Sequence, residues 1–149
     1  MKLYIVRHGQ ALDKVIHPER PLSENGKAEV QRVADFLKGK VYCRSIWHST
    51  KLRAIQTAAI FREAGIGLDM IERGDLNPMD SVYPMAEEIN KENENLMIVG
   101  HLPFVFNLTS VLLKVKLEQP FIHFFPSDVV VLEKVANWNL LWIISPQIL

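Results

Sequence analysis

Two short apolar runs constrain this chain more than any other feature. Leu3-Tyr4-Ile5-Val6 stops at Arg7-His8-Gly9, and Leu96-Met97-Ile98-Val99 runs straight into Gly100-His101. A strand that is apolar at consecutive positions must be covered on both faces, so each run reads as an interior strand of a largely parallel sheet with helices as its covers. The intervening segments supply those helices. Ser23 reads as the N-cap of a helix with Ala28, Val30, Val33, Ala34 and Leu37 on one side, closed by Gly39. Ser45-Ile46-Trp47-His48 reads as a second strand, and Ser49 is placed to cap a helix through Leu52, Ala54, Ile55, Ala58, Ala59 and Phe61.

Residues 68–71 read as a third strand, 74–84 as an irregular stretch and 86–93 as a charged helix. Pro103 suits the first turn of an apolar helix over 104–113, and 129–132 with 140–144 form a closing antiparallel hairpin around Asn137-Trp138-Asn139. Strands alternating with helices predict an α/β fold, a three-layer α/β/α sandwich with a mostly parallel central sheet, as one domain over residues 1–149.

Lys+Arg and Asp+Glu each number 17, so the formal charge is zero and there is no broad electrostatic case for nucleic acid or an anionic membrane as partner. A local basic pocket remains allowed. The single cysteine, Cys43, cannot make an intrachain disulfide, and no apolar run nears the ~18 residues of a membrane span. The expectation is a cytoplasmic protein.

In open α/β sheets the ligand crevice lies beyond the carboxyl ends of the strands. Three polar clusters fall there: Arg7-His8-Gly9, His48-Ser49 leading to Arg53, and Gly100-His101. Two histidines and two arginines facing one crevice suit an anion with several equivalent oxygens, phosphate above all. Arg7 and Arg53 can clamp phosphoryl oxygens with their planar donor forks. A neutral His8 imidazole can attack phosphorus in line, provided its other ring nitrogen donates to a fixed acceptor. Gly9, allowing positive φ and close backbone approach, can offer its carbonyl as that acceptor. His101 can donate to a phosphoryl oxygen. Taken singly, Arg53 or His101 is an ordinary surface or structural residue, and His17, His48 and His123 read that way. No carboxylate cluster or histidine pair has metal-ligand spacing, so neither metal nor cofactor is expected.

These residues resemble the histidine phosphatase superfamily, the phosphoglycerate-mutase-like fold. The resemblance is carried by LYIVRHGQA, by Arg20-Pro21-Leu22-Ser23 with Gly26, by Ser49 with Arg53-Ala54-Ile55-Gln56-Thr57-Ala58, and by Gly100-His101-Leu102-Pro103, in that order from Leu3 to Phe104. Short length and the RPLS and GHLP segments are most similar to its small SixA-type phosphohistidine phosphatases. The resemblance implies His8 as the phosphorylated nucleophile, with Arg7, Arg53 and His101 completing the phosphate pocket. It also puts Arg20 near the pocket mouth, where the alternative is an arginine that merely orients its turn.

One departure carries information. Relatives that protonate an alkoxide leaving group resemble one another in a leucine-x-glutamate motif, but the similar stretch here is Asp75-Leu76-Asn77-Pro78-Met79-Asp80. Asp75 and Asp80 are the available carboxylates. An alkoxide, with a conjugate-acid pKa of about 15.7, needs a proton in flight, whereas imidazole, at about 6.5, can leave carrying its own. Between Arg53 and Gly100 the chain also has little room for a covering insertion. The expected partner is therefore a phosphorylated protein bearing phosphohistidine. A small phosphomonoester, or a phosphate-binding module without turnover, remains an alternative.

Overall fold

In the computed structural model, which describes residues 1–149, the first apolar run becomes β1 (Lys2–Arg7). It lies between β4 (Leu96–Gly100) and β5 (Val129–Lys134) in a six-stranded sheet. β2 (Cys43–Ser49), β3 (Gly67–Arg73) and β6 (Trp138–Ile144) complete the order β3-β2-β4-β1-β5-β6. The first four strands pair in parallel and β5 runs antiparallel to both its neighbours. The expected mostly parallel sheet is thus observed, with the terminal hairpin supplying its reversed strand.

Period-two alternation divides each buried strand between two cores. Leu3, Ile5, Leu96, Ile98, Val130 and Leu132 pack under α3 (Tyr83–Lys91) and α4 (Phe104–Leu113). Tyr4, Val6, Met97, Val99, Val129 and Val131 pack under α1 (Glu24–Leu37) and α2 (Leu52–Glu63). Helices on both faces make the α/β/α sandwich. Ser23 caps α1 as expected, its Oγ accepting from Gly26 N at 2.9 Å. No helix is long and apolar enough to cross a membrane.

Three local expectations change. Ser49 does not cap α2: it is the last residue of β2, fully buried, while Lys51 takes the cap position without a side-chain bond. Pro84 belongs to α3 rather than to the irregular stretch, since a proline in a first turn gives up no helical hydrogen bond. Gly9 is not among the positive-φ residues. It is required for close approach: an added Cβ would lie 2.7 Å from Val30 Cγ2 and 3.2 Å from the Gly26 carbonyl oxygen of α1.

Register positions the rim. Arg7 pairs with Gly100 across β1 and β4, so His8 and His101 leave the sheet side by side. His48 pairs with Val99 across β2 and β4, which brings Ser49 next to them.

Candidate active site

Main-chain bonds fix the turn that carries His8. His8 N donates to the Gly100 carbonyl at 3.0 Å, and Gly9 N donates to Thr57 Oγ1 at 3.0 Å. His8 Nδ1 lies 2.7 Å from the Gly9 carbonyl oxygen. A carbonyl only accepts, so this contact assigns the ring proton to Nδ1 and makes Nε2 the lone-pair nitrogen. Arg53 Nε donates to that lone pair at 3.3 Å. Burial pushes the imidazole down to about 4, against the Gly9 carbonyl, with Arg53, Arg7 and Arg20 adding repulsion. His8 is therefore neutral at pH 7.

Arg53 sits in the first turn of α2, whose N-terminus faces the rim. Thr57, one turn on, donates from Oγ1 to the Arg53 carbonyl at 2.8 Å while accepting from Gly9 N. One hydroxyl thus ties the arginine's helix to the histidine's loop. Arg7 ends β1, its Nη1 donating to the Phe124 carbonyl at 2.6 Å, while its buried Nε has no partner. Burial lowers the pKa of both arginines from its usual height, and neither has a carboxylate within 4 Å.

His101 Nε2 lies 2.7 Å from Ser49 Oγ, which also accepts from Lys51 N at 3.3 Å. The Ser49 hydroxyl can accept from Lys51 N and still either donate to Nε2 or accept from it, so this contact fits either His101 tautomer, and the buried His101 Nδ1 has no partner. The His8 and His101 ring centroids are 4.9 Å apart. Burial, then the neighbouring His8 and Arg53, lower His101 to about 3, so both imidazoles are neutral.

Arg20 reaches the same neighbourhood from the β1–α1 loop in a left-handed conformation, φ 50°, with Nε donating to the Leu12 carbonyl at 3.1 Å. With Arg53 it lines a groove of about 550 Å³ that also takes in Lys14 and Lys51. The two carboxylates offered as proton donors are each engaged by other partners. Asp75 accepts two bonds from Arg73, at 3.0 and 2.8 Å, and that guanidinium holds its carboxyl below the usual range. Asp80 accepts from Asn77 N at 2.9 Å within its own turn. β3, which leads into this segment, is separated from β1 by β2 and β4, roughly 14 Å at the usual strand spacing. Nowhere do three His, Cys, Asp or Glu side chains gather as a metal site.

Comparison with known proteins accords with this geometry. Residues 3–81, which carry Arg7-His8-Gly9, Arg20 and Arg53, match the Histidine phosphatase superfamily (branch 1). The chain belongs to that family. Phosphohistidine phosphatase SixA of Escherichia coli (strain K12) is 32% identical over 123 residues, covering 75% of this chain and 74% of the relative. A solved structure of the protein histidine phosphatase SixA complexed with tungstate superposes with a TM-score of 0.85 at 27% identity, covering 99% of this chain and 98% of that one. A phosphoserine phosphatase from Entamoeba histolytica, in complex with 3-phosphoglyceric acid, shares the fold with a TM-score of 0.73 at 18% identity, covering 97% of this chain and 96% of that one. This histidine phosphatase is thus SixA-like, with a phosphoglycerate-mutase-like fold.

Sequence reasoning missed two supports of the histidine phosphatase site, giving Thr57 no role and reading Ser49 as a helix cap. Both stood inside a quoted motif, so their presence was visible. Their partners, Gly9 N and His101 Nε2, were not, because those contacts span 48 and 52 residues. Phe124 and the buried Asp128 behind Arg7 left no local signal at all.

Proposed function

We propose that this phosphatase hydrolyses phosphohistidine carried by a protein, through a covalent phosphohistidine on His8. The observation that carries the reading is the His8 tautomer: Nδ1 is committed to the Gly9 carbonyl, and Nε2 presents a lone pair among cations. Nε2 attacks phosphorus as the P–N bond to the substrate imidazole breaks, and that imidazole departs with its own proton. Water then attacks phosphorus, the P–N bond to His8 breaks, and inorganic phosphate leaves. Arg7 and Arg53 hold the phosphoryl oxygens, His101 Nδ1 donates to one of them, and Arg20 guards the mouth.

The choice of phosphoramidate over ester is supported by the carboxylates. Asp75, bound to Arg73, is held ionised and is a poor proton donor near neutral pH. A leaving group that needs no donor suits such a site. The relative from Escherichia coli is named a phosphohistidine phosphatase, and the tungstate in the SixA structure is an oxyanion, both in keeping with this reading.

The test is rapid-quench intact-protein mass after mixing with a phosphohistidine peptide, with free phosphate followed in parallel. Wild type should show a transient phosphate adduct and steady release, unaffected by chelators. His8→Ala should show neither adduct nor release. Phosphate release that persists in His8→Ala would defeat the mechanism, and turnover confined to sugar phosphates or nucleotides would shift the substrate to a small phosphomonoester.

A further inference from the structure

The mouth of the site is asymmetric in a way that catalysis alone does not require. The β1–α1 loop turns on Asp13, whose carbonyl accepts from Ile16 N and His17 N at 3.0 Å each and whose carboxylate accepts from Val15 N at 2.8 Å. This ordered turn nonetheless holds Val15 93% and Ile16 72% exposed, Val15 being the most exposed large apolar side chain in the protein. On either side of that tip the loop lines the groove, with Lys14 before it and Arg20 after it.

Lys51 and Arg53, at the start of α2, line the same groove. Four cations therefore face a groove whose only carboxylate is Glu19, and none of the four has a carboxylate within 4 Å. In a chain of zero net charge this is a segregated patch. Arg20 and Arg53 serve the transferred phosphoryl group, which leaves Lys14 and Lys51 without an anion.

We infer that this rim is a docking surface for the protein that carries the phosphoryl group, a segment with acidic and apolar side chains flanking its phosphohistidine. The inference rests on the reading of His8 above. A phosphoryl group delivered past Arg20 and Arg53 brings its carrier's surface onto the residues beside them, so the rim is continuous with the site the substrate must occupy. Flanking carboxylates lie over Lys14 and Lys51, and flanking apolar side chains cover Val15 and Ile16. A small metabolite would end inside the groove and leave the apolar tip in water.

The experiment compares three substrates: free phosphohistidine, a phosphohistidine peptide flanked by glutamates and leucines, and one flanked by lysines and serines. Wild type should prefer the acidic peptide by about tenfold in kcat/KM at low ionic strength, a preference that shrinks with added salt. The double variant Lys14→Ser, Lys51→Ser should lose most of that preference while turning over free phosphohistidine at the wild-type rate. Val15→Ser with Ile16→Ser should lower kcat/KM for the acidic peptide about threefold and leave the free amino acid unaffected. Equal use of the two peptides by wild type, or an undiminished preference in the lysine variant, would overturn the docking surface while leaving the phosphohistidine reading intact. Failure to hydrolyse any of the three would overturn both.

Discussion

Holding His8 neutral leaves a thermodynamic trace that can be measured without any substrate. Burial and the surrounding arginines bring its imidazole from 6.5 to about 4. The folded protein thus binds this proton less readily than the unfolded chain does. The resulting stability is fully present above pH 6.5 and is lost as pH falls toward 4. The full drop corresponds to roughly 3 kcal/mol. Between pH 8 and pH 5 the loss is roughly 2 kcal/mol, because at pH 5 the unfolded imidazole is almost wholly protonated and the folded one only about a tenth so. Urea unfolding of wild type and His8→Ala at the two pH values, at one ionic strength, isolates this contribution. His101, lowered to about 3 in part by His8, is removed from the comparison by making both measurements in a His101→Ala background, and the packing lost on truncation cancels because only the change with pH is compared. The protein that keeps His8 should lose roughly 2 kcal/mol more than the one that lacks it on going from pH 8 to pH 5. Equal losses would refute the account of a buried, cation-flanked neutral imidazole.

Two further substitutions test the scaffold beneath the histidine. Thr57→Val removes the acceptor for the buried Gly9 N–H, which should cost about 1–3 kcal/mol in urea unfolding and lower kcat more than it changes KM, with Thr57→Ser restoring both. Gly26→Ala puts a Cβ against the Gln10 main chain where α1 meets the His8 loop, and calorimetry should show destabilisation of about 3 kcal/mol, or roughly 10 °C in Tm.

What the sequence made legible was chemistry at strand ends. Arg7, His8, Arg53 and His101 were readable because apolar runs announce buried strands, and a parallel sheet gathers the ends of its strands on one side. Register was not readable. Whether Gly100 stands opposite Arg7 or one residue away depends on packing across the whole sheet, and that single step decides whether His8 and His101 meet. Ser49 illustrates the same limit. A serine ahead of a helix looks like a cap, and only β2's extension through Ser49 turns its hydroxyl toward His101 instead. Asp75 is the converse case: its carboxylate looked available until Arg73 bound it together with Glu88, a partner 15 residues beyond that arginine.

The departures from expectation point the same way. Two neutral imidazoles and two half-buried arginines meet with no carboxylate in contact, so the site holds donors and positive charge without a paired negative group. Burial, and for Arg53 the neighbouring Arg20, lower the two arginines, and an entering oxyanion would offset both effects. A carboxylate placed among these groups as a general acid would change that balance. Once ionised it would pair with Arg53 or Arg7 and compete with the phosphoryl oxygens for the same donors. On the proposed reading, a leaving imidazole that brings its own proton removes the need for that carboxylate, which accords with two histidines and two arginines that have no carboxylate in contact.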